Sequence, residues 1–189
     1  MGNHGVRESR NAEIKSVQMT SSEYEISWER SCIRTDFTSE YFVLGLVEES
    51  VEVFEACHYK RSDEDVVKEC GDVLWYVTGL LRNHDFLLDN MVGSCFDQVP
   101  EMVGCTEPEV LLIIRAGSLA GRVKKYQRGD YTEEKLILFL RTLIPEIISA
   151  LHSVCVSRGQ SLSDAAKANV VKINQRLTSG NIMGDGSNR

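Results

Sequence analysis

The sequence predicts an all-α fold, a helical bundle, and three observations carry that prediction. Apolar residues recur at three- and four-residue intervals over long stretches, most clearly at Val66, Val67, Cys70, Val73, Leu74, Val77, Leu80 and Leu81. Helix-opening residues stand ahead of these stretches: Ser62 before Asp63-Glu64-Asp65, Thr132 before Glu133-Glu134, and Ser161 before the last one. No strand period of two fits the stripe from Val66 to Leu81, so no strand competes for it.

Taken in order, a first helix follows Ser22 and reaches Arg30, and a second opens at Thr38-Ser39-Glu40 and runs to about His58. The third begins after Ser62, with acids in its first turn that complement the positive end of the helix dipole. Thr106-Glu107-Pro108-Glu109 reads as a capping box that opens the fourth, with proline in a first-turn position where its missing N–H costs nothing. The fifth starts at Thr132, and Pro145 should kink or break it. The last runs from Ser161 to about Leu177. This divides the chain into a polar, flexible arm over residues 1–20, one all-α domain over 21–178, and a glycine-containing tail over 179–189. The domain itself reads as two fused helical hairpin repeats, 24–92 and 107–177. On that reading Glu49 and Glu52 correspond to Arg115 and Ser118, and Glu69 and Asp72 correspond to Leu143 and Glu146.

Composition limits the function. The 189 residues carry 21 Lys plus Arg against 28 Asp plus Glu, a net charge of −7. An acidic chain lacks the basic face that coating of nucleic acid requires, so no nucleic-acid partner is expected. No apolar run approaches the roughly 18 residues needed to span a bilayer, and the start lacks a secretory signal, so no membrane association is expected. The six cysteines are scattered with no C-x-x-C pair, which reads as reduced thiols in a cytoplasmic protein. Glu55-x-x-His58 has di-iron spacing but no second E-x-x-H accompanies it.

The chemistry lies in two short acidic patterns. Glu48-Glu49-x-x-Glu52 is followed, after sixteen residues, by Glu69-x-x-Asp72. Residues three apart on a helix share a face, and the short turn near Lys60 to Ser62 folds the two helices back on one another. Two carboxylate pairs then face each other across one helix interface. Like charges about 4 Å apart repel by roughly 4 kcal/mol at an effective dielectric of 20, so protons or a cation must offset them. An all-oxygen donor set suits Mg²⁺, with Mn²⁺ as the alternative ion, better than Zn²⁺.

These patterns resemble a known family. Gly45-Leu46-Val47-Glu48-Glu49-Ser50-Val51-Glu52 with Glu69-Cys70-Gly71-Asp72-Val73-Leu74-Trp75-Tyr76 is similar to the E-E-x-x-E…E-x-x-D signature of the MazG-like all-α nucleoside triphosphate pyrophosphohydrolases. The resemblance extends upstream to Tyr24 and Arg34-Thr35, and downstream to Lys124-Lys125-Tyr126-Gln127-Arg128 and Asn169-x-x-Lys172-x-x-x-Arg176. It implies Mg²⁺-dependent cleavage of (deoxy)nucleoside triphosphates to monophosphate and pyrophosphate, as nucleotide-pool house-cleaning. It implies Glu49, Glu52, Glu69 and Asp72 as metal ligands, with Glu48 as a neighbouring base candidate. Lys172, Arg176, Lys124, Lys125, Arg128 and Asn169 would contact substrate; read from residue type alone, Trp75 and Tyr76 are candidates to stack on the base, with a core position as the alternative. Family members carry their lysines soon after the acids, whereas here they lie more than 50 residues on. That suggests a catalytic hairpin fused to a degenerate one, mimicking inside one chain the dimer of simpler members, or else a homodimer. Two other classes compete: a helical scaffold that keeps a structural metal cluster, and a biosynthetic enzyme resembling phosphoribosyl-ATP pyrophosphohydrolase.

Overall fold

The computed structural model describes residues 18–32, 34, 36–102 and 107–179. Among these the secondary structure is helical: α1 (Ser21–Ser31), α2 (Ser39–His58), α3 (Asp63–Arg82), a single-turn α4 (Asp89–Val92), α5 (Pro108–Gln127), α6 (Glu133–Ser157) and α7 (Leu162–Ser179), with a 3₁₀ turn at Phe96–Gln98. The all-α bundle read from periodicity is the observed fold. Short α4 and the 3₁₀ turn were not anticipated, being too brief for a helical period to register.

Helix starts obey their local chemistry. Thr20 caps α1 by accepting from the Glu23 N–H, while the Glu23 carboxylate accepts from the Thr20 N–H at 2.8 Å, a reciprocal capping box two residues ahead of the predicted start. Ser62 and Thr132 cap α3 and α6 as expected. For α5 the cap is Glu107, with Pro108 in the first turn and no side-chain cap bond; Thr106 lies outside the described residues. Pro145 does not break α6, which runs through it. Its neighbours Leu143, Ile144, Ile147 and Ile148 are buried on the core side, and their packing outweighs one missing backbone bond. The end of the expected flexible arm is tied down, since Met19 donates to Ser163 Oγ at 2.7 Å and Thr20 bridges to Cys95. Residues 1–17 and 180–189, the rest of that arm and nearly all of the tail, lie outside the described residues.

The bundle consists of two hairpins. α2 packs on α3 and α5 on α6; α2 also packs on α5, and α3 on α6 and α7. Arg158, just past α6, reaches Asp63 at the start of α3, and Tyr126 near the end of α5 meets His84 just past α3. The two hairpin turns therefore lie at opposite ends of the bundle. α3 is its centre, with Val66, Cys70, Val73, Leu74, Val77, Leu80 and Leu81 wholly buried. α6 is long and apolar enough, by length and composition, to cross a membrane, and half of it is buried inside the bundle. The described cysteines Cys32, Cys57, Cys70, Cys95 and Cys155 are all free thiols.

One contact decides where α7 lies. Gly71 on α3 faces α7 so closely that a Cβ there would meet the Ala165 carbonyl oxygen at 2.6 Å and Asn169 Cβ at 2.9 Å. Alanine at position 71 should gain about 1 kcal/mol of helix propensity and lose about 1–3 kcal/mol to overpacking, a net destabilisation measurable by urea unfolding. Gly117 and Gly121 on α5 have nothing within 4 Å of a Cβ, so Gly117→Ala and Gly121→Ala should each stabilise by up to about 1 kcal/mol. Equal effects at all three positions would refute the close approach of α3 and α7.

Candidate active site

Three of the predicted acids converge. Glu49 on α2 and Glu69 and Asp72 on α3 bring one carboxylate oxygen each to within 4.8 Å of one another. Glu69 and Asp72 are each only 7% exposed. The i, i+3 spacing puts the α3 pair on one face, and the antiparallel turn at 59–62 swings Glu49 opposite them. Glu52 stands one turn further along α2, outside that trio, yet close enough for its charge to act on Glu49 and Glu69. Glu48 lies on the exposed side of α2.

Electrostatics express the crowding. Burial, reinforced by the charges of Asp72, Glu52 and Glu69 and opposed by Lys172, pushes the Glu49 carboxyl up from 4.5 to about 8. Burial first, then Asp72 and Glu52, raises Glu69 as well, against Lys172 and Arg61. The oxygen-only donors and the mutual repulsion of three acids fit a hard divalent cation such as Mg²⁺; no ligand of softer type joins them among the described residues.

α7 supplies the partners. Asn169 Nδ2 donates to Asp72 Oδ1 at 2.8 Å, and Lys172 pairs with Asp72 Oδ2. Behind Asn169, the wholly buried Tyr24 hydroxyl donates to Asn169 Oδ1 at 2.8 Å. On the solvent side, Arg61 in the α2–α3 turn lies 3.5 Å from Glu69. The left-handed backbone at Lys60 (φ 53°) turns the chain there, ahead of the Ser62 cap. Arg61 was not singled out in the sequence, though a lone arginine in a four-residue turn eight positions before Glu69 was a usable clue.

The remaining substrate candidates lie elsewhere. Arg176 follows Lys172 by one turn on α7 and is half-buried. Lys124 is exposed, Lys125 lies 3.4 Å from the Tyr131 hydroxyl, and Arg128 pairs with Asp130. This cluster occupies the α5–α6 turn, beside His84, twelve residues along α3 from Asp72, or roughly 18 Å of helix. The structure does not bring it to the acids. Trp75 donates its indole N–H to Ser31 at 3.0 Å and packs on Trp28 and Phe42. Tyr76 covers Gly45, where a Cβ would fall 2.1 Å from its ring. Both aromatics are half-buried and fasten α3 to α1 and α2.

In the second hairpin, Arg115 on α5 pairs with Glu146 on α6 at 2.5 Å. These are the residues that the repeat reading sets opposite Glu49 and Asp72. An ion pair thus stands where the first hairpin has two facing acids.

The raised Glu49 carboxyl gives a stability test. Its folded value lies above its unfolded one, so its contribution is fully present below about pH 4.5 and is lost as pH rises through about 8. The melting temperature of metal-free protein should therefore fall between these limits, and Glu49→Gln should flatten that slope. Added Mg²⁺ should raise it more at pH 8.5 than at pH 6. An unchanged slope in Glu49→Gln would contradict the crowded-acid geometry.

Comparison with known proteins agrees with this site. Searches of curated proteins and of solved structures returned no significant match. Residues 37–97, which contain α2, α3 and all four acids, match the MazG nucleotide pyrophosphohydrolase domain, and that segment is similar to it.

Proposed function

We propose that the chain is a Mg²⁺-dependent pyrophosphohydrolase that cleaves (deoxy)nucleoside triphosphates between the α and β phosphates, in nucleotide-pool house-cleaning. The observation that carries this reading is the trio of carboxylate oxygens within 4.8 Å, set inside the MazG match and flanked by two basic side chains.

Glu49, Glu69 and Asp72 would hold the cation, and Glu52 stands beside them. When bound, the cation offsets their repulsion, stabilises charge developing on the phosphoryl oxygens and acidifies water. Glu52, adjacent to the trio but not within it, is the acid left free to take a proton from the attacking water. Lys172 and Arg61 are 29% and 43% exposed at their side chains, with one face on the acids and one toward solvent. Once a cation neutralises Asp72 and Glu69, both are released to grip the triphosphate. Arg61 offers a bidentate fork and Lys172 a point charge. Arg176, one turn further along α7, extends the same basic side. Asn169, held against Asp72, serves the acid directly. Lys124, Lys125 and Arg128 lie too far along the bundle to share that role.

Residues 24–92 and 107–177 read as two hairpin repeats with one working site, completed by α7 from the second repeat. The chain is then internally pseudo-dimeric, and its catalytic unit needs no second copy.

Purified protein incubated with Mg²⁺ and a panel of canonical and modified nucleoside triphosphates should release pyrophosphate and monophosphate in equal amounts. No turnover with any triphosphate, by protein of intact helicity, would sink the reading. Glu69→Ala and Asp72→Ala should each abolish turnover with helical content nearly unchanged. Glu52→Gln should lower kcat by about 10²–10⁴-fold, the range for loss of a general base, yet still bind Mn²⁺. Loss of binding would instead make Glu52 a ligand. Lys172→Ala and Arg61→Ala should raise KM by about tenfold, as expected for loss of a charge-assisted bond worth roughly 1.5 kcal/mol. An unchanged KM in both would remove them from the phosphate site.

A further inference from the structure

We infer that Tyr24, on α1, is a positioning residue for the acid site: its buried hydroxyl holds the Asn169 amide so that the amide in turn fixes Asp72. The inference rests on the reading of Asp72 as a cation-binding acid. It adds a side chain that touches neither cation nor substrate.

The geometry is a relay of donors. Tyr24 Oη donates to Asn169 Oδ1 at 2.8 Å, and Asn169 Nδ2 donates to Asp72 Oδ1 at 2.8 Å. Every member is buried: Tyr24 is 0% exposed, Asn169 2% and Asp72 7%. The carbonyl oxygen of Asn169 therefore has no water to turn to if the phenol is lost. A carbonyl left unsatisfied at that depth costs about 1–3 kcal/mol, enough to draw the amide out of its present orientation. Asp72 would then lose its one neutral donor and be left to Lys172 alone. With the relay intact, the two carboxylate oxygens are divided, Oδ1 to the amide and Oδ2 to the side facing Lys172.

Tyr24 can serve this role because its ring is wholly buried and packed. It meets Phe96 edge-on at 6.1 Å, and the start of α1 is bolted by Ser21 N–H to the Ser94 carbonyl and by the Thr20–Cys95 bridge. Burial and the Asp72 charge hold the phenol well above its ordinary value, so it remains a donor throughout the physiological range. From the opposite side, Gly71 lets the α7 backbone approach until Asn169 reaches Asp72. α1 and α7 together clamp the amide.

Tyr24→Phe keeps the ring and deletes the hydroxyl. Mn²⁺ binding to the protein alone, read by electron paramagnetic resonance or calorimetry, should weaken by about 10–100-fold, the range for loss of a group that orients a metal ligand. Under turnover, kcat at limiting Mg²⁺ should fall similarly, with KM for the triphosphate changed less than about twofold. Phe96→Leu, which loosens the same ring but leaves the hydroxyl, should weaken Mn²⁺ binding far less than Tyr24→Phe. In the Asn169→Ala background Tyr24→Phe should add no further loss, because the relay is already cut. Wild-type Mn²⁺ affinity in Tyr24→Phe overturns the inference, as does additive loss in the double variant, or loss of affinity in Phe96→Leu equal to that in Tyr24→Phe. Should Tyr24→Phe fail to fold, Asn169→Ala must itself weaken Mn²⁺ binding, and unaltered binding there overturns the relay. The two readings fail separately: a wild type that binds Mn²⁺ but cleaves no triphosphate refutes the pyrophosphohydrolase assignment and leaves the binding test of Tyr24 standing.

Discussion

The site exists because α7 lies directly on α3, and it lies there because position 71 has no side chain. With the Ala165 carbonyl and Asn169 Cβ both inside the space a methyl group would need, the two helices meet at backbone distance. That approach brings an amide and an ammonium from the end of the chain to an acid near its middle. Asp72 without α7 would be a buried carboxylate among other carboxylates, with no donor from its own hairpin. A buried charge of that kind loses several kcal/mol of hydration and must recover it from partners. α7 is thus as much a part of the site as the helices that carry the acids.

The same reasoning explains the balance of charges. Three acids packed together oppose folding, and burial, reinforced by the neighbouring charges, makes the carboxyl of Glu49 hold its proton to about pH 8. Two resident cations relieve the strain in part, Lys172 on Asp72 and Arg61 on Glu69, and both remain partly in solvent. A fully buried pair would satisfy the acids permanently and close the site. Partial exposure keeps these interactions weak, and on the proposed function a divalent ion and an anionic substrate would displace them. Stability and function pull in opposite directions here, and the apolar stripe of α3, wholly buried from Val66 to Leu81 at its core positions, compensates.

What the sequence made legible was local. Helical periodicity gave the fold class, caps at Ser62 and Thr132 gave element starts, and the i, i+3 acids gave three residues that do converge. What it hid depends on contacts distant along the chain. Tyr24 and Asn169 are 145 residues apart and Asn169 and Asp72 are 97 apart, and no local pattern pairs them. The basic cluster at Lys124, Lys125 and Arg128 misled for a related reason: its residue types suit phosphate, but only the opposed directions of the two hairpins reveal that it sits at the far end of α3. Pro145 misled differently. A rule that holds for an isolated helix fails where buried leucines and isoleucines on both sides of the proline hold α6 to the core.

The second hairpin shows what the first would be without its need for an ion. Between α5 and α6 the facing residues are Arg115 and Glu146, opposite charges at 2.5 Å; between α2 and α3 they are Glu49 and Asp72, two acids with no positive charge of their own, and Glu49 keeps its proton to about pH 8. A guanidinium built into the chain supplies that positive charge permanently. It needs no free ion, and it leaves no open coordination position for substrate oxygen. The first hairpin keeps an acid cluster that would need an external ion, the one through which the proposed function meets phosphate. A bundle of two similar hairpins can carry one such strained interface while the other, neutralised from within, holds the fold together. Electrostatic strain is thereby confined to the side where α7 packs on α3.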